Sequence, residues 1–332
     1  MRPPSSRIAR GGAVIAPLIS GLIGIAYAIS AASIAPAGEG PLQPLSPDDA
    51  RSLKPGDQFK ECDFCPEMVV VPAGAFQMGS FKGEGDKDEE GPRGQPFGVT
   101  VAKQFALGRF VVTVQEYLRC VAESGCPPPA WQEAGGAHNV ITGSDDRYKR
   151  LGNALSSERY PIVGVSWVGA QAYVAWLNTK LRLAAGNAYR LPSEVEWERA
   201  ARGGKEGLKY FWGNDFQTHS ANAAGEFGAD TWPHTSPVGS FPANAYGLYD
   251  MAGNVWQWVE DCYHLTYADM PGTTISTGAP WTSGCGESAR RVLRGGSWID
   301  DPRVLRSADR GGSAPELHYA YVGFRVARGL AR

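Results

Sequence analysis

Gly247-Leu-Tyr-Asp-Met-Ala-Gly-Asn-Val-Trp-Gln-Trp258 is the stretch whose reading decides the fold. Asp250, Asn254 and Gln257 place oxygen-bearing side chains at short intervals around Gly253. Two readings compete for it. A hard cation such as calcium takes about six to eight oxygens from carboxylates, amides and backbone carbonyls, and a tight glycine loop can turn its carbonyls inward to complete the set. The same residues suit an Asx turn, in which the amides bond their own backbone. Spacing alone leaves both open. Upstream, Asn222 and Asp230 flank Gly225 and Gly228 in a loop of the same composition.

The surrounding chain has 332 residues, room for one large or two small domains at roughly 150 residues each. Its 42 glycines and 10 tryptophans, with few long helix-period segments, point to short strands and many turns pinned by aromatics. A net charge of −2 and the lack of a basic stripe argue against nucleic acid as a partner.

The N-terminus reads as a targeting segment, residues 1–37. Arg2, Arg7 and Arg10 precede an apolar run from about Ala13 to Ile34, and Ala26-Tyr-Ala28 and Ala35-Pro-Ala37 are small-x-small cleavage candidates. The run approaches the ~20 residues that span a bilayer, so an uncleaved anchor is the rival reading and the one membrane contact expected. In either case the folded part is expected outside the cytoplasm, periplasmic or secreted. Residues 38–59, rich in Pro, Gly, Ser and charge, read as a linker. Residues 60–330 read as one domain.

The six cysteines, Cys62, Cys65, Cys120, Cys126, Cys262 and Cys285, all lie beyond the targeting segment. An even count in an exported chain reads as disulfides. Sequence neighbours are expected to pair: Cys62 with Cys65, Cys120 with Cys126, Cys262 with Cys285. No second CxxC or spaced histidine pair completes a zinc set around Cys62 and Cys65.

Local patterns place several elements. Met68-Val-Val-Val71 and Phe76-Gln-Met-Gly-Ser80 read as strands, and residues 99–112 alternate well enough for more. Thr113-Val-Gln-Glu116 and Ser193-Glu-Val-Glu196 are capping boxes, the second helix ending at Gly203. A third helix is expected after Ser166, running to about Leu183. From Tyr210 onward no helical period is legible.

Familiar catalytic motifs are missing: no HExxH, no phosphate-binding P-loop, no GxSxG, no GxGxxG after a strand. The five histidines are not spaced for a shared metal.

The opening stretch nevertheless resembles the signature of the sulfatase-modifying factor family, the formylglycine-generating enzymes and their relatives. So do Tyr189-Arg-Leu-Pro-Ser-Glu-Val-Glu-Trp-Glu-Arg-Ala-Ala-Arg202, Val292-Leu-Arg-Gly-Gly-Ser-Trp298 and Gly323-Phe-Arg-Val-Ala327, together with Met68–Gly79 and Val111–Tyr117. These segments keep the family's order over residues 65–328. The resemblance implies an α+β, loop-rich fold related to C-type lectins, with little regular secondary structure. It also implies two structural calcium ions. One would take the side chains of Asn222 and Asp230 and the carbonyls of Ala223 and Trp232. The other would take Asp250, the carbonyls of Gly253 and Val255, and Gln257. Calcium is expected at the first set. The second stays open, because Gln257 stands where those enzymes have Glu and Asp250 where they have Asn.

The resemblance fails at the family's chemistry. The enzymes carry two cysteines, five residues apart, after Gly-Gly-Ser; they bind copper(I) and oxidise a substrate cysteine to formylglycine. Soft thiolates suit Cu(I). Here the first position is Asp300 and the second has no counterpart, so copper is not expected; nor is iron, because the family's iron type depends on a histidine cluster that this sequence does not show. By motif, Trp256 and Ser297 match residues beside the family's active centre, and Asp300, Asp301, Arg303, Arg306 and Arg310 would rim a cleft. The expectation is an exported family member that binds a peptide or small molecule in that former active cleft. The alternatives are an enzyme of divergent chemistry, such as periplasmic siderophore maturation, or formylglycine-type oxidation by a non-standard site.

Overall fold

The computed structural model describes residues 43–85, 89–225, 232–285 and 290–330. The targeting segment and Asp230 lie outside the described residues.

Among the described residues, five α-helices and eleven strands are mostly short, and much of the chain between them is loop. The first elements are α1 (Pro47–Ser52), β1 (Gln58–Phe59), β2 (Met68–Val71), β3 (Gly74–Met78), β4 (Phe97–Val101) and β5 (Phe105–Gly108). Then come α2 (Val114–Ala122), α3 (Trp167–Leu181), β6 (Tyr189–Arg190), α4 (Glu194–Arg202) and β7 (Trp256–Cys262). The chain closes with α5 (Gly272–Thr277), β8 (Arg291–Arg294), β9 (Arg310–Ser313), β10 (Val322–Phe324) and β11 (Ala327–Gly329). The α+β, loop-rich class holds.

Each main helix starts where its cap predicts. Thr113 and Ser193 accept from the backbone of Glu116 and Glu196, whose carboxylates bond back to the cap N–H, completing both capping boxes. Ser166 caps α3. Gly203, at φ 59°, ends α4 in the left-handed conformation that glycine adopts without strain. Two stretches differ from expectation. The presumed linker contributes α1 and β1, which pairs with β2, so the folded unit begins before residue 60. Ser46, Pro47 and Asp49, whose composition suggested a linker, are also good helix-start residues, and Ser46 caps α1. α5 has no side-chain cap and no legible period.

Two sheets carry the fold. One runs β1-β2-β5-β11-β6 and is antiparallel throughout. The other runs β10-β7-β8-β9, with β10 parallel to β7 in the register Val322 to Trp256, Gly323 to Gln257 and Phe324 to Trp258. β3 and β4 form a separate hairpin. β2 is buried along its whole length, as a run of Met and three Val requires. Trp258 lies in the core cluster with Tyr117 and Phe324, and Trp197 lies in a second cluster with Val69 and Val259. The three disulfides form between the expected neighbours, with Cα–Cα separations of 5.0, 5.3 and 5.6 Å.

Candidate functional site

β8 is followed by Gly295 and Gly296, at φ 100° and 67°. A Cβ on Gly296 would lie 2.8 Å from Leu305 Cδ1 and 2.9 Å from the Val304 carbonyl, so only glycine lets the chain turn there. The turn delivers Ser297 and Asp300 beside Trp256, the first residue of β7. One oxygen of Asp300, Oδ2, accepts from the Trp256 indole N–H at 2.9 Å, the Ser297 amide at 3.0 Å and the Ser297 hydroxyl at 2.6 Å. Burial raises the Asp300 carboxyl above its ordinary range, and these three bonds to the charged form oppose the rise. Among the described residues no bond engages its other oxygen.

Aromatic groups lie on the neighbouring loops. Burial pushes the Tyr321 phenol upward, and the charges of Tyr319 and Asp300 add to that. Tyr319 packs on Tyr321 at 5.3 Å between centroids. Trp298 is half-buried, with the His234 ring edge-on at 4.9 Å. Burial lowers the His234 imidazole, and the charge of Arg150 adds to that. Tyr321 and His234 reach the site from distant loops, and no local sequence signal marks them.

Three expected residues converge here: Trp256, Ser297 and Asp300. Asp301 and Arg303 pair with each other at the surface, where Arg303 is 86% exposed. Arg306 and Arg310 do not rim the cleft, and this corrects the sequence expectation. Arg306 is buried, forked onto Glu89 at 2.5 and 2.7 Å and bonded to Asp309 at 3.1 Å. Arg310 opens β9, also buried, forked onto Glu194 at 2.8 Å through both Nε and Nη2 and lying over the Tyr267 ring at 4.4 Å. Between them Arg294, fully buried, bonds Glu198 and the carbonyls of Ala308 and Asp309. Buried guanidinium groups need paired acceptors, and α4 and the loop before β4 supply them.

The first cation set suits a metal as far as it is described. Asn222 is buried, its Nδ2 donates to the His234 carbonyl at 2.8 Å, and its Oδ1 has no hydrogen-bond partner among the described residues. A bare inward carbonyl oxygen is what a hard cation takes. The set is bonded to the Asp300 loop: the Ala224 amide donates to the Asp300 carbonyl at 2.9 Å, and the Asn254 amide to the Asn222 carbonyl at 3.0 Å.

The second set does not suit a metal. Gln257 Oε1 accepts from Trp197 Nε1 at 2.8 Å and Arg325 Nε at 2.7 Å, and Gln257 Nε2 donates to the Asp250 carbonyl at 2.8 Å. Asp250 Oδ2 accepts from the Gly239 amide at 2.8 Å. Asp250 and Asn254 sit at φ 52° and 64°, a left-handed turn that Asp and Asn tolerate.

Comparison with known proteins bears on this arrangement. Residues 55–330 match the Sulfatase-modifying factor enzyme 1-like domain. A protein named inactive C-alpha-formylglycine-generating enzyme 2, from Bos taurus, is 34% identical over 302 residues, covering 80% of this chain and 89% of that protein. The solved structure of PvdO from Pseudomonas aeruginosa shares 35% identity with a TM-score of 0.65, covering 84% of this chain and all of that one. A serine/threonine-protein kinase pkn1 from Chlamydia caviae is 34% identical over 278 residues, 82% of this chain. The chain spans about 40% of the length of that kinase.

Proposed function

The chain belongs to the sulfatase-modifying factor family, and from that premise we propose that it is an exported, calcium-held member whose Asp300 cleft binds a peptide or small molecule without copper chemistry. The observation that carries this reading is the Asp300–Trp256–Ser297 triangle. A hard carboxylate, held by three hydrogen bonds, stands where the family's copper thiol would be. All six cysteines are paired in disulfides, so none offers the soft thiolate that Cu(I) selects. The disulfides also accord with an oxidising compartment and thus with export.

The cleft residues have distinct parts in recognition. The free oxygen of Asp300 accepts a donor from the ligand. Trp298, Tyr319 and Tyr321 supply apolar walls. Calcium at Asn222 would steady the loop that bonds the Asp300 backbone, and calcium supplies only that structural charge.

The test is direct. Purified protein is incubated with Cu(I), oxygen and a cysteine peptide of the sulfatase type. The peptide is expected to keep its mass; conversion of its cysteine to formylglycine overturns the reading.

A second reading is an enzyme of divergent chemistry at the same cleft, of the kind expected for periplasmic siderophore maturation. The raised Asp300 carboxyl favours it, because such a group exchanges protons nearer neutrality. Turnover retained in Asp300→Asn would count against it.

A further inference from the structure

We propose that Gln257, locked by Arg325, closes the second cation position of the family, so that this chain has one hard-cation site instead of two.

The orientation of the Gln257 amide is forced. Its oxygen meets two N–H donors, Trp197 Nε1 and Arg325 Nε, at 2.8 and 2.7 Å. Turning the amide over would set its NH₂ against both donors and its oxygen against the Asp250 carbonyl, losing three hydrogen bonds. The nitrogen therefore faces Asp250, and it donates to that carbonyl at 2.8 Å. An amide nitrogen has no lone pair to offer a metal. A carboxylate in its place would present a second oxygen to the same carbonyl, and two oxygens facing each other call for a cation between them.

Arg325 supplies the positive charge. It is fully buried and bonds the carbonyls of Gly108 at 2.7 Å, Tyr249 at 2.7 Å and Asp250 at 3.2 Å, besides Gln257. The carboxylate acting on it is that of Asp250, which is itself buried and bonded to Gly239. A divalent ion beside this guanidinium would put about three positive charges against one negative in a buried site, a cost that pairing alone does not offset. Asn222 is the contrast, since its Oδ1 is buried without a partner among the described residues. The consequence is structural: β7, α4, the Asp250 turn and the segment after β10 are joined by hydrogen bonds that a chelator cannot remove.

Calcium itself is the probe. The full chain is stripped with chelator, dialysed into calcium chloride, and its bound calcium counted by elemental mass spectrometry, for wild type and Gln257→Glu. One ion in wild type and two in Gln257→Glu support the proposal. None in wild type and one in the variant would remove calcium from Asn222 yet still support closure by Gln257. Two in wild type overturn the proposal, as does an equal count in the two proteins. Circular dichroism checks that the variant folds in calcium. If it does not fold, calorimetric titration of the stripped wild type decides: a second equivalent bound overturns the proposal and its absence supports it.

Discussion

Trp256 donates its indole N–H to the carboxylate of Asp300 at 2.9 Å, joining the first residue of β7 to the loop that follows β8. The bond favours the ionised carboxyl, while burial favours the neutral one. Replacing Trp256 with Phe removes the donor and keeps an aromatic ring. The Asp300 carboxyl should then titrate higher than in the wild type, since its charged form loses one of three donors that oppose the effect of burial. Carbon NMR of the labelled carboxyl measures it.

The two arginine environments predict unequal costs. Arg310→Ala leaves Glu194 buried beneath β9 without its fork, and a broken buried pair of this kind costs about 3–5 kcal/mol. Arg303→Ala, at an exposed pair, should change stability by less than about 1 kcal/mol. Urea unfolding of the two variants separates them.

Asp261 should make stability depend on pH. It is fully buried and its carboxyl is pushed up to about 7 by burial and by the charge of Glu194. A carboxyl raised in the fold holds its proton more tightly there than in the unfolded chain. Its contribution is therefore fully present below the unfolded value, near 4, and is lost as pH rises through about 7. The melting temperature should fall as pH rises from about 4 to about 7 and level off above that, and Asp261→Asn should flatten this slope whatever its absolute cost.

Calcium at Asn222 should stabilise the native state by mass action. Chelation is expected to lower the melting temperature by several degrees, and calcium to restore it. In Asn222→Ala the melting temperature should already be low and should not respond to calcium.

What was legible in the sequence was local. The capping boxes at Thr113 and Ser193 start helices because their partners stand three residues away. The disulfides join sequence neighbours. Ser297 and Asp300 share one turn, and the motif of β7 brings Trp256 to them. Arg306 and Arg310 read as a rim in the sequence because their partners, Glu89 and Glu194, lie 217 and 116 residues away. A dense run of arginine and aspartate looks like a solvated rim until distant carboxylates are known to pack on it. Tyr321 and His234 were missed for the same reason, and Arg325 appeared only as one letter of a motif.

The central claim is that the Asp300 cleft binds a ligand. Ligand-observed NMR of a mixed peptide and small-molecule library, against wild type and Asp300→Ala, tests it most directly. Compounds that bind wild type and are lost in the variant are the predicted result. A library with no binder, or binders indifferent to Asp300, would contradict the account.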